Sequence, residues 1–137
     1  MLRVSYFVMC KSLKNEPGEK EPCLVGLMHV LSPKHIPSEY SFFVALGIMG
    51  ADVTKVNTFK LIIKSPTDEQ LAQTEVTTTP MTPDKITLPP DLAGYQAIIG
   101  FSNIEIPTEG LYKADIFIND ELIETKLIPV VQNKGVN

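Results

Sequence analysis

The chain has no tryptophan, two cysteines, two histidines and no long apolar run among its 137 residues. The missing apolar run matters first, because a helix that crosses a bilayer needs about 20 consecutive apolar residues. Residues 1–10 hold one arginine and a short apolar stretch, but polar residues interrupt it and no small-residue cleavage site follows. We therefore expect a soluble, cytoplasmic protein without membrane contact, in which this segment is a first strand.

Positive charge is also scarce, since 12 lysines and arginines face 16 acidic residues and the pI is about 5.1. Proteins that bind nucleic acid use basic surfaces to neutralise phosphates, so nucleic acid is not an expected partner. Hydrophobic residues make up 44% of the chain and charged residues 20%, as in ordinary globular domains. The 11 prolines and eight glycines interrupt the chain at many positions, which favours short strands over long helices.

The only soft metal ligands are Cys10, Cys23, His29 and His35. Structural zinc sites place paired ligands two to four residues apart, and these residues are not so placed, so we predict no metal site and no cofactor. His29 lies among aliphatic residues and is expected to pack in the core. Cys10 and Cys23 bracket a polar loop, where a hairpin would set them nearly opposite each other. Without an export signal, we favour two reduced thiols over a disulfide.

No sequence motif for catalysis is present. The chain lacks a nucleophile elbow, a phosphate-binding glycine loop and a calcium-binding loop. Its carboxylates cluster only in predicted turns, at 16–21, 68–69 and 120–121, where they are expected to be solvated. The sequence therefore predicts a protein that is not an enzyme.

The clearest local signal is a hairpin near the C-terminus. Apolar and polar residues alternate along Gly110–Ile118, and Asn119 and Asp120 suit a two-residue turn. A second apolar stretch begins at Glu121. This turn predicts a register with Ile118 opposite Glu121, Ile116 opposite Ile123 and Tyr112 opposite Leu127.

Alternating apolar and polar residues, with turn residues between the segments, predict about eight strands and no long amphipathic helix. Besides the hairpin, the predicted strands cover 2–10, 23–31, 40–49, 59–64, 71–78 and 97–106. Four prolines interrupt residues 79–92, which predicts an ordered or mobile loop there. A capped helix beginning at Ser38 is the alternative to a strand over 38–49. We predict an all-β domain over residues 1–137, a sandwich of two antiparallel sheets.

Two predicted strands, 24–31 and 42–49, are apolar on both alternating faces, whereas a strand with one wet face should alternate. Either the Pro-rich loop at 79–92 covers the second face, or this surplus apolar surface contacts a partner. Under the second hypothesis, the contact residues are Met28, Val30, Phe42, Val44 and Leu46.

The corner Pro107-Thr108-Glu109-Gly110-Leu111-Tyr112 resembles the final hairpin of many bacterial immunoglobulin-like domains. This resemblance implies an immunoglobulin-like sandwich in which Gly110 and Tyr112 are structural and the Tyr112 hydroxyl bonds to upstream backbone. The chain departs from antibody-type domains at Ala114, where those have their second cysteine. More loosely, the order of elements is similar to a family of uncharacterised single-domain bacterial β-sandwich proteins, which implies the fold and no activity.

Two functional hypotheses follow. The first is a non-catalytic protein-interaction or structural module that contacts another protein or a second copy of itself through the two-sided apolar strands. The alternative is a small-ligand or carbohydrate binder that uses the loops around Tyr95, since sugar sites usually present exposed aromatic rings. Fold alone does not decide between them.

Overall fold

The computed structural model describes residues 2–134. Its eight strands are β1 (Arg3–Lys14), β2 (Cys23–Met28), β3 (Ser38–Met49), β4 (Thr58–Lys64), β5 (Gln70–Thr77), β6 (Gly94–Ile106), β7 (Gly110–Ile118) and β8 (Glu121–Val130). The helical structure in this part of the chain is a single 3-10 turn at Pro83–Lys85. No helix within residues 2–134 is long and apolar enough to cross a membrane.

The strands form two antiparallel sheets of four. Sheet 1 has the order β2-β1-β3-β6 and sheet 2 the order β5-β4-β7-β8. Immunoglobulin-like domains pair strands A, B and E in one sheet and C, F and G in the other. Here β1, β3 and β6 give the first order, and β4, β7 and β8 give the second. The prediction of an all-β, immunoglobulin-like sandwich of about eight strands is confirmed.

The 38–49 segment is a strand along its whole length, so the helical alternative is wrong. β3 pairs with β1 on one side and with β6 on the other, which fixes it at the centre of sheet 1. Its inward side chains meet those of sheet 2 in one core. The largest fully buried side chains there include Phe42, Leu61, Ile63, Ile116 and Ile128. Each such burial stabilises the fold by about 1.5–3 kcal/mol.

Tyr112 joins the two sheets at the corner between β6 and β7. Its side chain is fully buried, and its hydroxyl donates to the Thr108 carbonyl at 2.6 Å. The Thr108 N–H donates back to the same oxygen at 3.3 Å. Gly110 lies between them with φ at 143°, where a Cβ would meet Pro66 Cγ at 2.8 Å. This is the bond expected of a tyrosine corner.

The β7–β8 hairpin differs from its predicted register. Ile118 pairs with Glu121 as predicted, but Ile116 pairs with Glu124 and Tyr112 with Ile128, each one position further along. The cause is a β-bulge beyond Ile116 that takes up one extra residue of β8. Because side chains alternate with a period of two, the bulge moves every later β8 side chain to the opposite face.

The sandwich is closed along one lateral side by a crossing segment, whereas along the other the edge strands of the two sheets contact each other without pairing. After β2 the chain crosses to sheet 2, where Leu31 pairs in parallel with Val130 and its N–H donates to the Pro129 carbonyl at 3.0 Å. The crossing therefore covers the side formed by β2 and β8. On the opposite side, β6 ends sheet 1 and β5 ends sheet 2, and the structure gives no backbone ladder between them.

The two cysteines do not meet. Cys10 is buried and pairs with Leu27, whereas Cys23 is exposed and pairs with Lys14, four positions further along the same ladder. The expectation that they sit nearly opposite each other is wrong, and both are free thiols. The hairpin is longer than predicted, since β1 continues to Lys14.

Candidate interaction surface

The predicted contact residues of β3 lie on the wrong face. Phe42, Val44 and Leu46 are 1%, 0% and 3% exposed and belong to the core, so the prediction that they contact a partner is wrong. The sequence could not choose between the two faces, because both are apolar along 42–49. A shift of one residue exchanges them. The outward residues of this strand, which the prediction missed, are Phe43, Ala45 and Gly47.

The predicted contact residues in and after β2 also lie on the wrong side. Met28 is half-buried against the core, and its sulfur accepts a hydrogen bond from the Tyr40 hydroxyl at 3.5 Å. Val30 is also half-buried, beyond the end of the strand. The exposed side chain is instead Leu27, at 68%. His29 is exposed and was wrongly expected in the core.

Together these residues define an uncharged surface, which we call the outward face of sheet 1. It consists of Tyr6, Val8 and Cys10 in β1, Leu27 in β2, Phe43, Ala45 and Gly47 in β3, and Gln96, Ile98 and Gly100 in β6. None of them is Asp, Glu, Lys or Arg. Solvated faces of antiparallel sheets are ordinarily polar, so this face departs from the usual alternation.

Aromatic rings cover two glycines on this face. The Tyr6 ring and the Ser5 hydroxyl occupy the space that a side chain at Gly47 would need. The Phe43 ring lies over Gly100, where a Cβ would meet its Cε1 at 2.9 Å. Glycine lets each ring lie flat on the neighbouring strand, as in the aromatic covering of glycines in other sheets. These glycines were the signal in the sequence that could have identified the outward side.

The chain's own hairpin covers the rest of the centre. The tip of the β1–β2 hairpin, residues 15–22, brings Glu21 and Pro22, together with Leu24 of β2, to the rim of an open depression of about 480 Å³ floored by Ala45. Ala45 is consequently buried although it points outward, and Cys10 on the same face is buried as well. The large apolar side chains of this face that stay exposed are Tyr6, Ile98 and Leu27.

The Pro-rich loop does not provide this cover, contrary to one of the two explanations. The Met81 N–H donates to the Val53 carbonyl at 2.8 Å, and Leu88 and Leu92 lie near Met49. The loop therefore packs at the end of the sandwich where β3 leaves sheet 1.

Sheet 2 has a charged outward face. Lys64 Nζ lies 2.8 Å from a carboxylate oxygen of Asp115, and the Thr125 hydroxyl donates to the other oxygen at 2.7 Å. Lys113 Nζ lies 2.7 Å from the Asp68 carboxylate. Lysine stems cover apolar surface in this arrangement while their ammonium groups stay paired.

These pairs shift the ionisation of their members. Burial alone would raise the pKa of Asp115, but hydrogen bonds from Lys64 and Thr125 and the charges of Lys64 and Lys113 hold that pKa below its ordinary 3.8. The hydrogen bond to Asp115 raises the pKa of Lys64. The hydrogen bond from Lys113 lowers the pKa of Asp68. Asp115, Lys64 and Asp68 therefore stay charged at neutral pH.

Tyr95 takes part in a polar network at the end of the sandwich. Its hydroxyl accepts from the buried Asn57 amide at 2.9 Å and from the Thr78 hydroxyl at 3.4 Å. Its ring meets Phe59 edge-on with centroids 4.9 Å apart. The Asn57 side chain also accepts from the Asn119 amide at 2.9 Å, which ties the β7–β8 turn to this network. Tyr95 thus connects three loops.

Within residues 2–134, no three His, Cys, Asp or Glu side chains lie close enough to hold a metal ion.

Comparisons with known proteins add a family and distant structural likenesses. No curated protein matches the chain. An immunoglobulin-like protein from Pseudomonas aeruginosa is similar in structure at 13% identity and TM-score 0.43, over 96% of this chain and 97% of that one. A glycosyl hydrolase family 2 member from Bacteroides cellulosilyticus is similar at 15% identity and TM-score 0.46, over 72% of this chain. This chain spans only 13% of that hydrolase.

The looser resemblance to single-domain bacterial sandwich proteins stays a prediction. A family model matches residues 5–131, which is nearly the whole chain. The chain therefore belongs to DUF6941, a family of unknown function.

Proposed function

We propose that this protein is a non-catalytic protein-interaction module that binds through the outward face of sheet 1. The observation that carries the proposal is that the ten strand residues defining that face include no Asp, Glu, Lys or Arg, with Leu27 and Ile98 left 68% and 40% exposed. The acidic groups near it are Glu39 and Glu105 at one end of sheet 1 and Glu21 at the hairpin tip. The cores of protein interfaces are depleted of charged residues in the same way.

A second copy of the chain is the partner that this surface suits best. The chain carries a formal charge of −4, so most of its surface disfavours contact with itself. The outward face of sheet 1 is the exception, because the ten strand residues that define it bring no like charges together, while Glu21, Glu39 and Glu105 lie at its borders. Tyr6 and Ile98 add large side chains that gain from leaving water.

The size of the face sets the strength of the expected contact. Four strands spaced about 4.8 Å apart, over five residues of about 3.3 Å each, project roughly 300 Å². Stable complexes bury about 800 Å² on each partner. We therefore expect weak association, detectable only at high micromolar concentration.

Sedimentation velocity over a concentration series tests this proposal. Leu27→Lys adds a charge to the outward face of sheet 1, and Leu122→Lys is the matched control, since Leu122 is 50% exposed on the charged face of sheet 2. We expect the weight-average sedimentation coefficient to rise with concentration for the wild type and Leu122→Lys, but not for Leu27→Lys. A wild type that stays monomeric throughout, or equal loss in both variants, contradicts the proposal.

The small-ligand alternative gains no support from the surroundings of Tyr95. Both the hydroxyl and the ring of this residue already contact Asn57, Thr78 and Phe59 within the chain. A sugar stacked on Tyr95 would have to compete with the Phe59 contact.

A further inference from the structure

Sheet 1 ends in β6, and within residues 2–134 no strand pairs with its outer side. Constant-type immunoglobulin sheets continue past strand E with a strand D. β6 occupies the place of E, but the segment between β5 and β6 carries four prolines, at 80, 83, 89 and 90, and pairs with the 50–54 loop instead. In the part of the chain that the structure describes, no backbone therefore occupies the pairing position beside β6.

The backbone of β6 presents hydrogen-bonding groups to this free position. The Gly50 N–H donates to the Ala93 carbonyl at 2.8 Å, and the same register pairs Ile48 with Tyr95. Because bonding alternates along an antiparallel ladder, the N–H groups of Tyr95, Ala97 and Ile99 point toward β3. Those of the residues between them point toward the free edge, namely Gln96, Ile98 and Gly100.

An apolar crevice opens below this edge, between β6 and β5. Ala97 and Ile99 line it from β6, and Thr74 and Val76 line it from β5. Its free volume is about 20 Å³, which is room for roughly one water molecule. Side chains brought to the edge would close the mouth of the crevice without entering it.

β6 lacks the features that usually protect an edge strand. Natural edges carry lysine, proline or short strands that prevent further pairing. From Gly94 to Ile104, β6 has no charged residue and no proline. Its first charge is Glu105, which pairs with Glu39 directly across on β3. Like charges directly opposite each other are unfavourable, so a cation beside Glu105 would be stabilising there.

We propose that the free edge of β6 accepts an extended segment of another protein as a fifth strand, antiparallel to β6. Alternate small apolar side chains of that segment cap the crevice, and a basic residue at its N-terminal end lies beside Glu105. Backbone hydrogen bonds give such strand addition its affinity, and alternate side chains give it specificity. This site goes beyond the proposed function, because it uses the edge of sheet 1 and not its outward face.

A second copy of the chain fits this edge less well. The inward side chains of a second β6 already point into their own core, so they cannot cap the crevice. Pairing β6 with itself about its centre, at Ile99, would also set Glu105 opposite residue 93, next to the acidic Asp91. An unfolded segment with alternating side chains has neither problem.

The test is a titration of the full-length, ¹⁵N-labelled protein with a synthetic peptide. The probe is a capped decapeptide of one lysine followed by alternating valine and threonine, which is long enough to extend from Glu105 to Gln96. We expect saturable shifts centred on the amides of Gln96, Ile98 and Gly100. Gln96→Pro removes one edge donor and leaves the β3 ladder intact, so it should weaken binding by at least about tenfold.

Matched controls separate the edge from its surroundings. Gln96→Ala keeps the N–H and should bind within about twofold of the wild type, and Leu27→Lys on the outward face should do the same. If Gln96→Pro does not fold, Val76→Lys places an ammonium at the crevice mouth and should give the same loss. Replacing the peptide lysine with glutamate should weaken binding severalfold.

Three results would overturn the proposal: no shift at millimolar peptide, equal binding by the wild type and the Gln96→Pro or Val76→Lys variant, or edge amides that shift with protein concentration alone in Leu27→Lys, in which association through the outward face is lost. The last result would assign the edge to a second copy.

Discussion

The outward faces of the two sheets differ in how their central strands are shielded from water or made compatible with it. Each sheet has two central strands whose outer side must be kept from water or made compatible with it. Sheet 2 uses lysines paired with carboxylates, such as Lys64 with Asp115 at 2.8 Å. Sheet 1 uses rings laid over glycines and the tip of its own hairpin, and the ten residues that define its outward face carry no charge.

The difference has a functional consequence. A charged face loses hydration when it meets a partner, and exposed ion pairs return at most about 1 kcal/mol each. An uncharged face with exposed leucine and isoleucine gains from the same contact. The two faces of one small domain are thus unequal, and the outward face of sheet 1 is the one suited to binding.

The largest expected effect compares the two sides of β3. Phe42→Ala removes a buried ring that stacks on Phe101 with centroids 5.4 Å apart, and should lower the free energy of unfolding by about 3–5 kcal/mol. Phe43→Ala, on the outward side, should cost about 1 kcal/mol, because Phe43 is only half-buried. Urea denaturation of both variants measures the difference. Equal losses would mean that the assignment of inward and outward residues is wrong.

The next effect tests the covering of the outward face of sheet 1. Gly47→Ala places a methyl group in the space of the Tyr6 ring and should destabilise the protein by about 2 kcal/mol. In a Tyr6→Ala background the same substitution should cost only about 1 kcal/mol, since the ring is gone and the Ser5 hydroxyl alone still lies in that space. A double-mutant cycle from thermal or urea unfolding gives the coupling. Additive losses would show that Tyr6 does not lie on Gly47.

The smaller effect belongs to the charged face of sheet 2. Asp115→Asn should lower the free energy of unfolding by about 1–2 kcal/mol at neutral pH, because the Lys64 ammonium keeps some contact with water. The folded-state pKa of Asp115 lies below its ordinary 3.8, so this stabilisation is complete above that value and is lost as pH falls through the lowered pKa.

Unfolding measurements from about pH 2 to pH 7 check this sign. The wild type and Asp115→Asn should differ most at neutral pH and converge in acid. A difference that grows as pH falls would contradict the pairing of Asp115 with Lys64.

Most of the fold could be predicted because its signals are local. Each of the eight strands is bounded by turn residues, and β7 with β8 is joined by a turn at Asn119 and Asp120, both at positive φ. The corner around Tyr112 is equally local, since the bonded residue is Thr108, four positions away.

The candidate surface could not be predicted in full because its causes are non-local. Phe42 and Phe43 are chemically the same, and only the pairing of β3 with two other strands decides which one faces the core. The bulge in β8 and the hairpin tip over Ala45 likewise depend on tertiary contacts. Sequence reasoning therefore found the right strand and chose the wrong side of it.

The most direct test of the central claim is a dilution series of amide spectra from near-millimolar to low micromolar protein. If the outward face of sheet 1 is the contact surface, the concentration-dependent shifts should cluster at Tyr6, Leu27 and Ile98 while Lys64 and Asp115 stay unchanged. Shifts centred on the sheet 2 residues, or spectra that do not change with concentration, would contradict it.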